Sequence, residues 1–398
     1  PGPKESQDLN KLLDQQKFDD AIKATLALME TYPSSAVLNI TLGQCHLELG
    51  QIEQAIDSYQ RVIEINPECA EAYFNMGMIL KDKGELDAAI ENYQKVLKID
   101  PNSAGAYHNI GIAVDANGDL AGAIKYLEKA VSIKPDCAKT YLNMGTILKE
   151  KGDLQAAIES YQKGIQIDPN AFEAYNSMGN AFLAVGDLVQ AVNSYRKAIK
   201  IKPDYAEAYN NIGVTLSAKH DHEGAINAFN QSLLINPGFV GAHYNLGSTL
   251  NSQGKTEEAI KTYKRVLELD PDNVIAKHIL SALTGQQTAS APSVYVEGLF
   301  DDYAVRFDQS LVDQLKYNVP KLIAELILKH QTDAPLGSVL DLGCGTGLAG
   351  VELKDFCQEI EGIDLSKKML AKARQKNVYS KLNHAGIVEY LTEAPLDF

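Results

Sequence analysis

Prolines stand at positions 33, 67, 101, 135, 169, 203, 237 and 271, each 34 residues beyond the one before. So strict a period means one small unit repeated and stacked, because a single unit of that length cannot bury its own apolar face. With each proline set as position 32, position 8 is Gly43, Gly77, Gly111, Gly145, Gly179, Gly213 and Gly247. Position 20 is Ala55, Ala89, Ala123, Ala157, Ala191, Ala225 and Ala259. Small residues at both places let two antiparallel helices approach closely. Larger ones at position 24, Tyr59, Tyr93, Tyr161, Tyr195, Phe229 and Tyr263, fill the space that is left. Gly50, Gly84, Gly118, Gly152, Gly186 and Gly254 close the first helix of each unit at its turn, and Pro after Asp, Asn or Lys closes the second. Residues 5–32 read as a degenerate first unit, with Ala21 and Pro33 in register and Gln16 at the turn, and Val274–Leu283 as one capping helix.

The pattern resembles the tetratricopeptide repeat over about 270 residues, with Tyr73, Tyr107, Tyr141, Tyr175 and Tyr209 where that family often carries Trp. The resemblance implies an α-solenoid of about eight units whose first helices line a concave surface. Position 6 of those helices is Asn75, Asn109, Asn143, Ser177, Asn211 and Asn245. An amide offers two donors and an acceptor, so a ladder at one-unit spacing suits the backbone of an extended peptide whatever its sequence. The arrangement is similar to the asparagine ladder of O-linked N-acetylglucosamine transferases. It makes Asn75, Asn109, Asn143, Asn211 and Asn245 the candidate peptide-binding residues. The plainer alternative is that the same amides satisfy backbone groups between repeats.

Other features narrow the field by exclusion. His220, Asp221 and His222 replace the turn glycine of one unit and read as a solvated turn, because a structural zinc site takes about four ligands; no metal is expected. The five cysteines are odd in number and never form a CxxC pair, against a disulfide framework and in favour of a reducing, cytoplasmic setting. A net charge of -15, with both sides of Gly285 acidic, argues against nucleic-acid or anionic-membrane partners. No apolar run reaches the roughly 18 residues of a spanning helix.

After Gly285 the register stops. Residues 285–293, GQQTASAPS, have linker composition. Residues 294–335 carry Leu311, Leu315, Leu322, Ile323, Leu326 and Ile327 at helical spacing around Pro320, which predicts two or three short helices. Next, SVLDLGCGTGLAGVELKD reads as a strand over Val339–Asp341 and a turn through Gly343, Gly345 and Gly347 into a helix, where absent Cβ atoms let a nucleotide-like ligand approach backbone N–H groups. A second strand is predicted over Ile360–Asp364 and a third over Asn383–Ile387. Gly345, Gly347 and Gly350 also fit GxGxxG, with Asp364 19 residues on, so a dinucleotide site competes. Asp341 decides between them: a carboxylate two residues before the first glycine repels a pyrophosphate but attracts an ammonium and a sulfonium.

The run VLDLGCGTG resembles the first motif of Rossmann-like methyltransferases, and IDLS with the following KKMLAKA resembles their second-strand motif. The resemblance implies S-adenosylmethionine as cofactor. It places Asp341, Gly343, Cys344, Gly345, Thr346 and Gly347 around the methionine part and Asp364 with Leu365 at the ribose. Phe300, Tyr303 and Phe307 would cover the cofactor. Gly386 and Ile387 stand where the family commonly has an adenine-binding Asp after the third strand. No catalytic residue is assigned.

The expected organisation is therefore mostly α: a repeat solenoid over residues 1–284, a linker over 285–293, and a methyltransferase part over 294–398 with a helical lead-in to 335 and an α/β portion from 336. Because the chain runs from Pro1 to Phe398 with three strands placed, its active site is expected to be incomplete and the chain by itself inactive. The expected function of the parent protein is adenosylmethionine-dependent methyl transfer, with repeats that recruit a protein or peptide. The alternatives are a non-catalytic interaction scaffold and, third, the recognition arm of a glycosyltransferase-like protein.

Overall fold

Each 34-residue period folds into two antiparallel helices, in a computed structural model that describes residues 2–286, 291–304, 307–308, 311, 316–330 and 336–393. The pairs are α1 (Pro3–Asp14) with α2 (Phe18–Thr31), α3 (Ala36–Glu48) with α4 (Ile52–Ile65), α5 (Ala70–Asp82) with α6 (Leu86–Ile99), and α7 (Ala104–Ala116) with α8 (Leu120–Ile133). They continue as α9 (Ala138–Lys151) with α10 (Leu154–Ile167), α11 (Phe172–Ala184) with α12 (Leu188–Ile201), α13 (Ala206–Ala218) with α14 (His222–Ile235), and α15 (Val240–Ser252) with α16 (Thr256–Leu269), before the single α17 (Val274–Leu283). The chain forms two compact units, Pro1–Ala242 and His243–Phe398.

In the first unit the glycine at position 8 is matched to the ring at position 24. A Cβ built on Gly43, Gly77, Gly145 or Gly179 would lie 2.8, 2.7, 2.8 or 2.5 Å from the tyrosine ring it faces, and one on Gly213 would lie 2.5 Å from Phe229. Those rings are at most 1% exposed, and every alanine of position 20 is fully buried. Burial of each ring stabilises its helix pair by about 2–3 kcal/mol. The hydroxyls differ from unit to unit. Tyr195 donates to Asn180 Oδ1 at 2.8 Å and Tyr161 pairs with Thr146 Oγ1 at 3.1 Å, whereas the buried Tyr93 hydroxyl has no partner among the described residues. Tyr93→Phe is therefore expected to leave stability unchanged or raise it by up to about 1 kcal/mol, as Phe229 already does at the same place. Tyr195→Phe should lower it by about 1 kcal/mol, since Asn180 loses a donor. Equal urea midpoints for the two variants would contradict this.

The turns follow one design. Gly50, Gly84, Gly118, Gly152 and Gly186 have φ between +70° and +90°, which glycine adopts freely. In four units the next residue caps the following helix: Asp119, Asp153, Asp187 and Asp221 accept from the N–H of Gly122, Ala156, Gln190 and Gly224. Gln16 and His220 occupy the same left-handed position at φ +54° and +61°, at a steric cost. His220→Gly, and likewise Gln16→Gly, is expected to raise stability by about 1 kcal/mol, read as a higher urea midpoint. A lower midpoint would mean that the histidine makes compensating contacts.

The second unit continues the repeat through α16 and α17, then enters α18 (Ser293–Tyr303) and α19 (Val319–His330). Residues 287–290 of the linker, and Leu315 in the lead-in, lie outside the described residues; Ser293, assigned to the linker from sequence, opens α18. Three parallel strands follow, β1 (Leu336–Leu342), β2 (Cys357–Asp364) and β3 (Lys381–His384), in the order β1-β2-β3. Their crossovers are α20 (Leu348–Leu353) and α21 (Lys367–Gln375), and α22 (Ile387–Glu393) comes last. Register pairs Asp341 with Gly362 and Asp364 with His384. Ala324 of α19, Leu353 of α20 and Ile360 of β2 form a buried cluster, with Val339, Ile327 and Tyr379 packed against it.

The third strand is a correction to the sequence reading. It spans Lys381–His384 rather than Asn383–Ile387, because Ala385 and Gly386 make a bend and Ile387 begins a helix. The apolar residues at 387 and 388 that looked like the end of a strand belong to that helix. Among the described residues no helix is long and apolar enough to cross a membrane.

Candidate functional site

The end of β1 turns through three glycines, Gly343, Gly345 and Gly347, at φ +75°, +53° and +84°. Gly343 and Cys344 donate their N–H groups to the Ile363 carbonyl at 2.8 and 2.9 Å, folding the turn over the end of β2. Asp364 then fastens it: one carboxylate oxygen accepts from Gly345 N–H at 2.9 Å and the other from Ser366 N–H at 2.8 Å. A carboxylate has about four lone-pair sites, so two backbone donors leave it able to accept further hydroxyls.

Beside this turn lies a cavity of about 540 Å³. The structure brings Gly343, Gly345, Asp364, Leu365, Gly386 and Ile387 together on its wall. A Cβ on Gly343 would come 3.7 Å from Ile387 Cδ1, and one on Gly345 3.9 Å from Phe307 Cε1, so side chains there would occupy the cavity itself. Val296 and Phe300 of α18, with Phe307, supply an apolar cover, and Met369, Ala385, Val388 and Glu389 complete the wall; of these, sequence reasoning missed Val296, Met369, Ala385, Val388 and Glu389.

Five residues expected at the cofactor do not line this cavity. Asp341 accepts a 2.7 Å hydrogen bond from the Tyr379 hydroxyl. Burial pushes its carboxyl above the usual range, the Tyr379 bond opposes that, and the charge of Asp364 adds to it. Gly347 accommodates the Tyr379 ring, 2.9 Å from where its Cβ would be. The buried Cys344 thiol is pushed up to about 12 by burial and then by the charges of Asp341 and Asp364, so it remains a thiol. Thr346 donates to Asp308, which also pairs with Lys376 at 2.7 Å. Tyr303 stacks edge-on against Phe307, ring centroids 5.4 Å apart.

Asp308 is one of three acids that tie the lead-in to the α/β part. Glu297 meets His384 Nε2 at 3.2 Å and Lys367 at 3.9 Å. Asp301 accepts from Ser366 Oγ at 2.5 Å and Lys368 N–H at 3.0 Å. Burial raises the Asp301 carboxyl, but those two hydrogen bonds and the charges of Lys368 and Lys367 outweigh it and hold it low. The four-residue spacing of Glu297 and Asp301 on α18 was a signal in the sequence, unread because its partners are remote.

On the repeats, the asparagines of position 6 are all half-buried. Asn143 Nδ2 lies 3.4 Å from His108 Nε2, and His108 Nδ1 lies 3.0 Å from Thr140 Oγ1. Burial, then the charges of Lys139 and Lys81, lowers His108 to about 4, so it is neutral at pH 7. Asn211 donates to Asn176 Oδ1 at 3.0 Å and Asn180 Oδ1 at 3.2 Å. Two rungs of the ladder thus spend amide protons between repeats, while Asn109 makes no hydrogen bond among the described residues and opens on a cavity of about 380 Å³. Among the described residues no group of three or more His, Cys, Asp or Glu is placed to hold a metal ion.

Comparison with known proteins agrees with both halves. Families described as TPR repeat and tetratricopeptide repeat match residues 43–82, 77–118, 104–137, 145–186, 179–219, 206–239 and 240–273, and one described as methyltransferase domain matches 339–397. A dTDP-3-amino-3,6-dideoxy-alpha-D-glucopyranose N,N-dimethyltransferase from Streptomyces fradiae is 37% identical over 68 residues, 17% of this chain and 26% of that protein. Methyltransferase-like protein 27 from Homo sapiens is 33% identical over 87 residues, 21% of this chain and 35% of that protein. The chain thus spans about a quarter and a third of these relatives' lengths. In fold it is similar to the C-terminal part of a TPR repeat-containing protein from Cytophaga hutchinsonii, at 21% identity and a TM-score of 0.51 over 60% of this chain and 98% of that one. The chain belongs to the tetratricopeptide-repeat proteins and, over residues 339–397, carries a methyltransferase domain.

Proposed function

We propose that the second unit binds S-adenosylmethionine and that the protein transfers its methyl group to an acceptor recruited through the repeats. The observation that carries this is the cavity of about 540 Å³ whose wall combines left-handed glycines with Asp364 under an apolar cover. The residues fit the cofactor. Gly343 and Gly345 leave room for the methionine part against backbone, Asp364 retains lone pairs for ribose hydroxyls, and Phe300, Phe307 and Ile387 offer apolar surface for the adenine. Bound there, the cofactor supplies a methyl group on a sulfonium leaving group; the protein's part is to orient it and exclude water. Gly386 lies at the adenine end of this reading and contacts through its backbone alone. Asp341 takes part only by turning from Tyr379. Calorimetry on the full chain should show one-site binding of adenosylmethionine that Gly345→Val abolishes. No heat at millimolar cofactor overturns the reading in favour of a non-catalytic scaffold.

We place the repeat domain at 1–284 and its linker from 285 up to the start of α18 at Ser293, and take the groove ligand to be an extended peptide. The half-buried asparagine row supports this, with Asn109 the rung best able to serve a ligand because Asn143 and Asn211 are engaged between repeats.

A further inference from the structure

The cavity of about 380 Å³ in the first unit lies among α5, α7, α8 and α9, and three lysines line it: Lys81, Lys134 and Lys139. Lys81 is 3.2 Å from the one acid on the wall, Asp82. Among the described residues neither Lys134 nor Lys139 has an ionic partner. Three lysines against one aspartate leave a surplus of two positive charges in a chain whose net charge is -15. The neutral ring of His108, bracketed by Thr140 and Asn143, lies on the same wall, as does the amide of Asn109. The lysine ammoniums thus give the site more donors than its one carboxylate can use, over a floor made partly of Met78, Ala104 and Ala130.

We propose that this cavity is an anion subsite of the groove, and that it takes a phosphoryl group carried on a serine or threonine of the bound peptide. This rests on the groove reading above. A phosphomonoester brings about -1.5 to -2 charges at pH 7 and three acceptor oxygens, which matches the surplus and the number of lysines. A carboxylate brings one charge and two coplanar oxygens, for which the fork of arginine is the better partner, and no arginine is on the wall. Because Asn109 lines the cavity, a backbone held by the amide row delivers its side chain to the lysines.

The test uses the full chain and three fluorescent nonapeptide pools, degenerate except for a central phosphoserine, serine or glutamate, read by anisotropy. The phosphoserine pool should bind about tenfold tighter than the serine pool, a ratio equivalent to about 1.4 kcal/mol, with the glutamate pool close to serine. Inorganic phosphate should compete away that advantage alone. The Lys134→Ala, Lys139→Ala double variant, altered at two exposed positions, should bring phosphoserine to the serine level and leave serine binding unchanged. Equal binding of the phosphoserine and serine pools overturns this proposal and leaves the groove reading standing. So does glutamate binding as tightly as phosphoserine, or an advantage that survives the double variant. Failure of every pool to bind overturns both.

Discussion

Gly179→Val is expected to destabilise the first unit by about 3 kcal/mol or more. The Tyr195 ring is fully buried and its Cε1 lies 2.5 Å from where a Cβ on Gly179 would stand, so even alanine cannot enter without moving the ring. On an exposed helix the change from glycine to alanine gains about 1 kcal/mol; here overpacking, typically about 1–3 kcal/mol for extra methylenes in a tight core, opposes and exceeds that gain. Valine adds two more carbons against the same ring. The hydroxyl bond from Tyr195 to Asn180 Oδ1 goes with the displaced ring, and Asn211, which donates to the same oxygen, is disturbed as well. Gly186→Ala is the control. Nothing lies within 4 Å of its Cβ, and only the positive φ of +84° is strained, so its cost is about 1 kcal/mol. Urea unfolding that ranks the two variants equally would show that the glycine of position 8 is needed for backbone freedom and not for the ring. Because a stack is stabilised mainly by neighbouring units, the loss should appear first in hydrogen exchange of α11 and α12.

That pairing explains why the solenoid was legible. Glycine 8, alanine 20 and tyrosine 24 act within one unit, so every constraint lies inside 34 residues and is written again in the next. The left-handed turn could be read even at His220, since the following Asp221 still caps α14. Beyond residue 285 the constraints are single and remote. The glycine turn was legible because its backbone needs are local, and Asp364 because it ends β2. The direction of Asp341 was not, since it is set by Tyr379, 38 residues later and outside any motif. Nor was the end of β3: Ile387 and Val388 are apolar and β-branched, and only the bend at Ala385 and Gly386 makes them helical. The asparagine row was legible as a row, but whether each amide faces a ligand depends on partners from another repeat, such as His108 for Asn143.

Tyr379 is where the second unit should be most sensitive. Its ring fills a cradle made of three glycines: a Cβ on Gly347, Gly350 or Gly362 would lie 2.9, 2.5 or 2.9 Å from it. Tyr379→Ala therefore opens a void that no neighbouring side chain can fill and leaves the Asp341 carboxylate without its donor, an expected loss of about 3 kcal/mol. Tyr379→Phe keeps the ring and isolates the hydroxyl. Burial raises the Asp341 carboxyl, the hydroxyl bond opposes the rise, and Asp364 adds to it, so the phenylalanine variant drives Asp341 higher still. The folded state then holds a proton that the unfolded state has lost, throughout the interval between the ordinary carboxyl pKa and the raised one. Stability in that interval falls as pH increases. The deficit of Tyr379→Phe should accordingly be largest at neutral pH and shrink on acidification toward the ordinary carboxyl pKa of about 4, as Asp341 becomes protonated in the folded wild type and the folded variant alike. Cys344, another titratable neighbour of Asp341, is held as a thiol over this range and does not contribute. Unfolding midpoints of the wild type and the variant across this series decide it. A deficit independent of pH means that the hydroxyl matters only for packing, and one that grows in acid means that Asp341 is held ionised rather than strained.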